Sequence, residues 1–125
     1  MIKIQTEKAP AAVGPYSQAI VSNGMVYTSG QIAINPATNT IEAKTIEEQT
    51  EQVMKNLGHV LMTAGSSFEK AVKTTCFLAD MNDFAAFNEI YGKYFTSLPA
   101  RSCVAVKTLP KNVLVEVEVI AESSI

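Results

Sequence analysis

Histidine and cysteine are scarce in this chain, and their scarcity argues against several kinds of site. The 125 residues include one histidine, His59, and two cysteines, Cys76 and Cys103. Zinc sites recruit several His and Cys ligands, so we expect no metal centre. The cysteines are far apart and form no Cys-x-x-Cys motif, which favours free thiols in a reducing compartment. We therefore predict a cytoplasmic protein without a disulfide framework.

Basic residues and long apolar runs are also few. Ten Lys and Arg against twelve Asp and Glu give a net charge of -2. This balance argues against nucleic acid as the main ligand, because phosphate binding relies on dense positive charge. No stretch reaches membrane-spanning length, and the alternating first residues lack the apolar run of a signal peptide. With 47% apolar and 18% charged residues, the composition predicts one ordered globular domain over residues 1–125.

Strand and turn signals dominate the first third of the chain. Residues 2–4 alternate between apolar and polar, which predicts a short first strand. Asn23-Gly24 separates two further runs, 17–21 and 25–28. This dipeptide favours a type I′ turn, since both central residues of that turn have positive φ. The pattern predicts a β-hairpin.

Two segments have the apolar spacing of helices. The first begins with a capping box formed by Thr45 and Glu48 and is expected to end at Gly65. The second is expected to be capped by Asn82 or Asp83. Its apolar stripe consists of Phe84, Phe87, Tyr91 and Tyr94.

The remaining strands carry the candidate chemistry. A buried strand is predicted over 72–79, and a strand after Pro99 places Arg101 and Cys103 on one face. The last strand, 113–121, carries two carboxylates at mid-strand, where a soluble core rarely accommodates them. The predicted order is three short strands, helix, strand, helix, strand, strand, which indicates an α+β fold with a single mixed sheet.

The two helices are expected on the same side of this sheet, because both crossovers should be right-handed. The other face is then left uncovered by this chain and is expected to be an oligomer interface. Arg101, Cys103, Glu116 and Glu118 are expected to lie in or beside that interface.

Two interpretations of Arg101 are open on the residues alone. It can form a structural ion pair with Glu116 or Glu118, or its planar guanidinium can bind the carboxylate of a small organic acid. The two glutamates share a strand face roughly 7 Å apart, so one can face a site while the other neutralises a buried cation. For Glu118 the structural salt bridge is the preferred interpretation.

Cys103 is a poor candidate for a nucleophile. A catalytic thiolate needs a nearby base or positive field, and the single histidine lies on a helix with no assigned partner. We interpret Cys103 as a small buried apolar residue. His59 receives no role.

Several separated motifs resemble the RidA/YjgF family of imine deaminases. They are, in chain order, GPYSQAI, TSGQI, PARSCV and LPKNVLVEVEVIA. Their order and spacing match the family from Ala9 to Ile120. The resemblance implies a chorismate-mutase-like fold, a homotrimer with sites between subunits, and no cofactor.

The activity that the resemblance implies is the hydrolysis of 2-iminobutanoate and 2-iminopropanoate to 2-oxo acids and ammonia. These imines are released by pyridoxal-phosphate dehydratases acting on threonine and serine. By the same resemblance, Arg101 holds the substrate carboxylate and Glu116 positions the attacking water. The pocket is completed by Tyr16, Ser29, Gly30, Asn88 and the backbone of Cys103.

Other activities described in the family are the alternatives: regulatory or chaperone-like binding, and RNA cleavage. For RNA cleavage the sequence offers one histidine and no aromatic-basic cluster, so the usual general acid and base pair is missing.

Overall fold

The computed structural model describes residues 1–125 as a six-stranded sheet with two helices packed on one face. The strands are β1 Ile2–Ile4, β2 Ala19–Ser22, β3 Met25–Thr28, β4 Ala71–Leu78, β5 Ala100–Ala105 and β6 Val115–Glu122. The helices are α1 Ile46–Thr63 and α2 Phe84–Tyr94, and short 3₁₀ turns span Phe68–Lys70, Met81–Asp83 and Pro110–Asn112. This order confirms the predicted α+β class with one mixed sheet. Neither α1 nor α2 combines the length and apolar character that a bilayer-crossing helix requires.

The strand order across the sheet is β1-β2-β3-β6-β4-β5. Only β4 and β5 pair in parallel, and β5 forms one edge of the sheet. Helix α1 connects β3 to β4 and helix α2 connects β4 to β5. Both connections advance in the same direction across the sheet, so right-handed crossovers place both helices on one face, as predicted.

The pairing register determines which side chains face the helices. Cys76 of β4 is fully buried between Cys103 of β5 and Val117 of β6. Because side chains alternate along a strand, every second residue from these three positions belongs to the same layer. A cluster of 23 buried residues forms the core there, between sheet and helices.

Local signals set the ends of α1 as predicted. The Thr45 hydroxyl accepts a hydrogen bond from the backbone N–H of Glu48 at 3.1 Å, and the Glu48 carboxylate accepts one from the backbone N–H of Thr45 at 3.3 Å. At the other end Gly65 adopts a φ of 72°, and the Ser66 N–H donates to the carbonyl of Leu61 at 2.8 Å. These bonds satisfy amide and carbonyl groups that a bare helix end leaves unpaired.

The predicted hairpin is confirmed, although β2 starts later than expected. Asn23 and Gly24 have φ values of 50° and 76°, as a type I′ turn requires. Regular pairing begins at Ala19, and the side chain of the preceding residue, Gln18, bonds to the irregular segment before the strand. It accepts from the N–H of Thr6 at 2.7 Å and donates to the carbonyl of Pro10 at 2.8 Å, which anchors the preceding irregular segment.

The start of α2 differs from the prediction. Asp83 occupies the N-cap position, but its side chain makes no capping hydrogen bond. Asp80 acts instead, since its carboxylate accepts from the N–H of Asn82 at 2.8 Å and opens the 3₁₀ turn that leads into the helix. The capping residue therefore lies upstream of the two positions named from the sequence.

The face opposite the helices is uncovered within the chain, as predicted. Its apolar side chains are Ile20, Tyr27, Phe77, Val104 and Ile120. Tyr27 is 45% exposed and Val104 is 47% exposed. This surface also carries Glu116, which is the register partner of Phe77.

Candidate functional site

Arg101 projects from β5 into a group of side chains supplied by α2. Its Nη1 donates to Asn88 Oδ1 at 2.7 Å. The guanidinium carbon lies 4.8 Å from the centroid of the Tyr91 ring and 5.4 Å from that of Phe84. With Cys103, which shares its strand face, these residues form what we call the arginine cluster. No carboxylate of the same chain is among the partners of the guanidinium.

Helical spacing explains how α2 contributes three members of this cluster. Phe84, Asn88 and Tyr91 stand at positions i, i+4 and i+7, so they share one side of the helix. Arg101 reaches that side because it is the register partner of Thr74, a buried residue of the helix-facing layer. The arginine cluster thus lies on the helix side of the sheet edge.

Cys103 is an ordinary protonated thiol in this setting. Burial raises its pKa, and the nearby positive charge of Arg101 opposes that effect only in part. Beneath it, burial raises the pKa of Cys76 to about 12. Both cysteines are free. The raised pKa argues against a nucleophile, which needs a lowered one, and Cys103 is partly buried where the sequence analysis expected a buried residue.

Glu116 forms a second group on the uncovered face. Its side chain packs so closely on Gly30 that a Cβ atom at position 30 would overlap the carboxylate. Gly30 is held there by its neighbour Gln31, whose N–H donates to the carbonyl of Val117 at 2.9 Å and whose carbonyl accepts from the N–H of Val117 at 3.2 Å. Any side chain at position 30 would therefore have to displace the Glu116 carboxylate from this position.

A cavity of about 280 Å³ opens beside the Glu116 carboxylate. Tyr16, Gly30 and Glu116 line it, and with it they form what we call the glutamate cluster. The rest of its wall comes from the polar residues Gln18, Gln31 and Lys111, from Pro110, and from apolar residues of the segments 10–13 and 32–34. Ser29 is next to this wall in sequence, but its hydroxyl donates to the carbonyl of Ser17 at 2.6 Å.

The electrostatics of the glutamate cluster favour proton transfer. Burial raises the pKa of Glu116, and the negative charge of Glu118 raises it further. A carboxylate with a raised pKa accepts a proton more readily than an exposed one, which is the property that a general base needs.

The arginine and glutamate clusters lie on opposite faces of the sheet. Arg101 points to the helix side from β5, Glu116 points to the uncovered side from β6, and β4 runs between them. Arg101 and Cys103 therefore face the helices from the edge strand, whereas Glu116 and Glu118 face the uncovered side, so one chain does not bring the four side chains together. The interpretation in which Arg101 forms an ion pair with Glu116 or Glu118 of its own chain is wrong for this reason.

Neither cluster resembles a metal site. No three His, Cys, Asp or Glu side chains converge where an ion could be held. His59 is a half-buried residue of α1 and belongs to neither cluster.

Phe84 and Tyr91 were missed as site residues by the sequence analysis. Both belong to the aromatic stripe of α2, which predicts a core-facing side. The available signal was Asn88, a polar residue on the same side of the helix, next to this stripe. A polar residue there indicates that part of the stripe faces something other than an apolar core.

Comparisons with known proteins find similarity over nearly the whole chain. The sequence profile of the family described as Endoribonuclease L-PSP matches residues 6–123. A RutC family protein from Synechocystis is 58% identical, over 94% of this chain and 93% of its own. The 2-iminobutanoate/2-iminopropanoate deaminase of Mus musculus is 49% identical, over 94% of this chain and 88% of its own.

A solved structure shows the same fold. The protein of unknown function of the conserved Rid family from Yersinia pestis is 51% identical and superposes with a TM-score of 0.94, covering 97% of this chain and 98% of that chain. The profile match, the sequence identities and the shared fold extend over the same residues. The chain belongs to the RidA/YjgF family.

Proposed function

We propose that the protein hydrolyses 2-imino acids, namely 2-iminobutanoate and 2-iminopropanoate, to 2-oxo acids and ammonia in sites between the subunits of a homotrimer. One observation carries this proposal: each cluster is half of a site. The arginine cluster offers a carboxylate binder without a base, and the glutamate cluster offers a base and a cavity without a guanidinium. Since the halves face away from each other, a second copy has to bring them together.

The two halves divide the chemistry of imine hydrolysis between them. The donors of Arg101 bind the substrate carboxylate as a charge-assisted pair. Glu116 accepts a proton from a water molecule as the oxygen adds to the imine carbon. The imine reacts in its protonated form, so this addition gives a neutral tetrahedral amine, which takes the proton back from Glu116. The C–N bond then breaks, and the hydroxyl group loses its proton to the departing ammonia, which leaves the 2-oxo acid and an ammonium ion. Every step is a proton transfer, an addition or an elimination, so no redox group is required.

The remaining residues complete the pocket in this proposal. Tyr16 and Gly30 already line the cavity, and Asn88 is bonded to Arg101. Ser29 precedes Gly30 directly in the chain, and Cys103 is two residues from Arg101 on β5. We assign all five to substrate binding, as the family resemblance implies.

A ring of subunits follows from the placement of the two clusters. Contact between an arginine cluster and a glutamate cluster joins two different patches, which makes the interface head-to-tail. Such interfaces close into rings, whereas a two-fold dimer joins a patch to itself. A trimer also covers the apolar uncovered face, and we expect light scattering on the eluting species to report three subunits.

Names within the family differ, and the site distinguishes among them. The murine relative is named as a deaminase, whereas the family profile is described as an endoribonuclease. Neither cluster contains a histidine, and the chain has a net charge of -2. These features favour a small organic acid over RNA as the ligand. The free thiols fit the cytosol, where we place the reaction.

Subunit complementation tests the composite site. Arg101→Ala and Glu116→Gln chains carrying different tags are co-expressed, and trimers with both tags are isolated. By cyclic symmetry each mixed trimer regains about one intact site in three. The assay couples the protein to a threonine dehydratase and follows 2-oxobutanoate or ammonia release above the spontaneous rate, with a chelator present.

Two controls bracket the result. Trimers containing only one of the two variants should stay inactive, whichever tags they carry. Mixed trimers that are as inactive as the pure ones would show that the two clusters do not meet between subunits. A wild-type protein that does not accelerate imine hydrolysis would refute the proposed activity.

A further inference from the structure

We propose that Tyr91 is a positioning residue for Arg101: its ring, tethered to Thr74 by a buried hydrogen bond, supports the face of the guanidinium and leaves the donor edge free. The inference deepens the proposed function and rests on it, because it assigns to Arg101 the binding of a carboxylate. It concerns a residue that contacts the arginine and not the substrate.

The partners of Arg101 hold the guanidinium in place and leave most of its N–H donors without a hydrogen bond. A guanidinium has five N–H donors in its plane and none on its faces. Asn88 accepts from Nη1, while the aromatic rings at 4.8 Å and 5.4 Å attract the positive charge through their π-systems. A carboxylate from the same chain would compete with the substrate for the fork. Two rings and one amide do not.

Tyr91 is tied to the strand pair that carries Arg101. Its hydroxyl and that of Thr74 are 2.7 Å apart, and both residues are buried. Thr74 is the register partner of Arg101 on β4. The Tyr91 ring also stacks on Phe95, with centroids 4.6 Å apart. The ring is therefore fixed on one side by packing and at its tip by a hydrogen bond one strand away from the arginine.

Phe84, the second ring near the guanidinium, differs from Tyr91 because it has no hydrogen bond to fix its orientation. Phe84 lies farther from the guanidinium, is only partly buried and has no polar atom to anchor it. A buried tyrosine hydroxyl, in contrast, needs a partner and takes one orientation when it has one. Burial raises the pKa of Tyr91, so this hydroxyl keeps its proton and the bond to Thr74 joins two neutral groups.

Two variants break the tether from either end. Tyr91→Phe and Thr74→Val each remove one hydroxyl and keep the shape of the side chain. We expect the ¹⁵N relaxation of the Arg101 Nε–H to report greater motion in both. The Kd for 2-oxobutanoate and the KM for the imine should rise about tenfold, since small misplacements of a binding group are costly. The kcat should change less.

A matched control lies on the same helix. Tyr94→Phe removes a comparable hydrogen bond, which Tyr94 donates to Glu51 at 2.6 Å. Tyr94 does not contact the guanidinium, so Arg101 motion, Kd and KM should stay at wild-type values. Changes in Tyr94→Phe as large as those in Tyr91→Phe would overturn the inference.

The double variant separates positioning from stability. Thr74→Val leaves the Tyr91 hydroxyl unpaired, and Tyr91→Phe leaves the Thr74 hydroxyl with only the weak bond that it accepts from the Cys76 thiol at 3.9 Å, so each should lower the melting temperature. Tyr91→Phe with Thr74→Val removes both hydroxyls and should recover most of that loss. Arg101 motion and the weak binding should persist in the double variant. Recovery of binding along with stability would show that the tether is merely structural.

The measurements also keep this inference apart from the proposed function. If the tether variants loosen Arg101 and weaken 2-oxobutanoate binding but the wild type does not hydrolyse imines, the activity is refuted and Tyr91 keeps its role. If the wild type hydrolyses imines and the Arg101 Nε–H is as rigid in Tyr91→Phe as in the wild type, the positioning role is refuted.

Discussion

The arginine cluster and the glutamate cluster hold opposite charges by opposite means. Arg101 is surrounded by aromatic faces and one neutral amide, so its charge is fixed and its donors stay available. Glu116 is pressed against a bare backbone at Gly30 with a second carboxylate nearby, so its charge is costly and its pKa is raised. The first arrangement suits binding, because its donors remain free for an anion. The second suits catalysis, because the Glu116 carboxylate can accept and release a proton.

Removing the charge of the glutamate cluster should have the largest effect. Glu116→Gln keeps the side-chain shape but cannot accept a proton, so kcat should fall by roughly 10²- to 10⁴-fold, as for a general base. The Kd for 2-oxobutanoate, measured calorimetrically, should stay within about threefold because the arginine cluster is intact. A folded trimer of Glu116→Gln with near-normal kcat would remove the base from the mechanism.

Breaking the arginine cluster should give the next largest effect, and on binding. Arg101→Lys keeps the charge but loses the planar fork, and Arg101→Ala loses both. Losing a bidentate charge-assisted pair costs about 3 kcal/mol, on the order of a hundredfold in kcat/KM. The Kd for 2-oxobutanoate should rise in parallel. If either variant is a folded trimer that binds and turns over normally, Arg101 is a structural residue.

A smaller effect is expected from filling the space between Gly30 and Glu116. In Gly30→Ala the new methyl group must displace the carboxylate, and kcat should fall about tenfold from misplacement of the base. Gly92→Ala is the matched control, since nothing lies near its Cβ position and alanine favours its helix. Equal activities of the two variants would contradict the role of the close contact.

The pH dependence of kcat/KM tests whether Glu116 is the base. Because the base must be ionised, kcat/KM should fall as pH drops through the raised pKa of Glu116. Glu118→Gln removes the neighbouring negative charge that contributes to this shift. The pKa of Glu116 should then be lower, and the acid limb of the profile should move to lower pH. An acid limb that stays in place, or moves to higher pH, would mean that another group controls it.

The smallest effect is expected at Cys103. Its raised pKa keeps the thiol protonated, so Cys103→Ser should lower kcat/KM by less than about threefold, through a polar hydroxyl in a partly buried position. A folded but inactive Cys103→Ser trimer contradicts direct attack by water. So does a covalent substrate adduct on the sulfur in a mass spectrum of the wild type.

The elements of the fold were predictable because their signals are local. The Asn23-Gly24 turn and the capping box of Thr45 and Glu48 each depend on residues a few positions apart, and both are present as predicted. The cap of α2 was misplaced because the 3₁₀ turn that begins at Asp80 precedes the helix. Sequence spacing does not separate such a turn from the first turn of a helix.

The identity of the candidate residues was predictable from the sequence, but their relative positions in the fold were not. Motifs identified Arg101, Asn88 and Glu116, yet they did not show that one chain keeps the glutamate apart from the other two. The support of the guanidinium by Tyr91 was also hidden, because aromatic residues at helical spacing usually indicate core packing.

Which residues of a strand share a face follows from the amino-acid sequence, since alternation is a property of each strand alone. This alternation places Arg101 with Cys103, and Glu116 with Glu118. Which of those faces meets the helices is set by the packing of the whole chain. That choice depends on register between strands distant in sequence, and a slip of one residue would reverse it. Pairing Arg101 with Thr74 and Glu116 with Phe77 divides the candidate site between the two sides of the sheet.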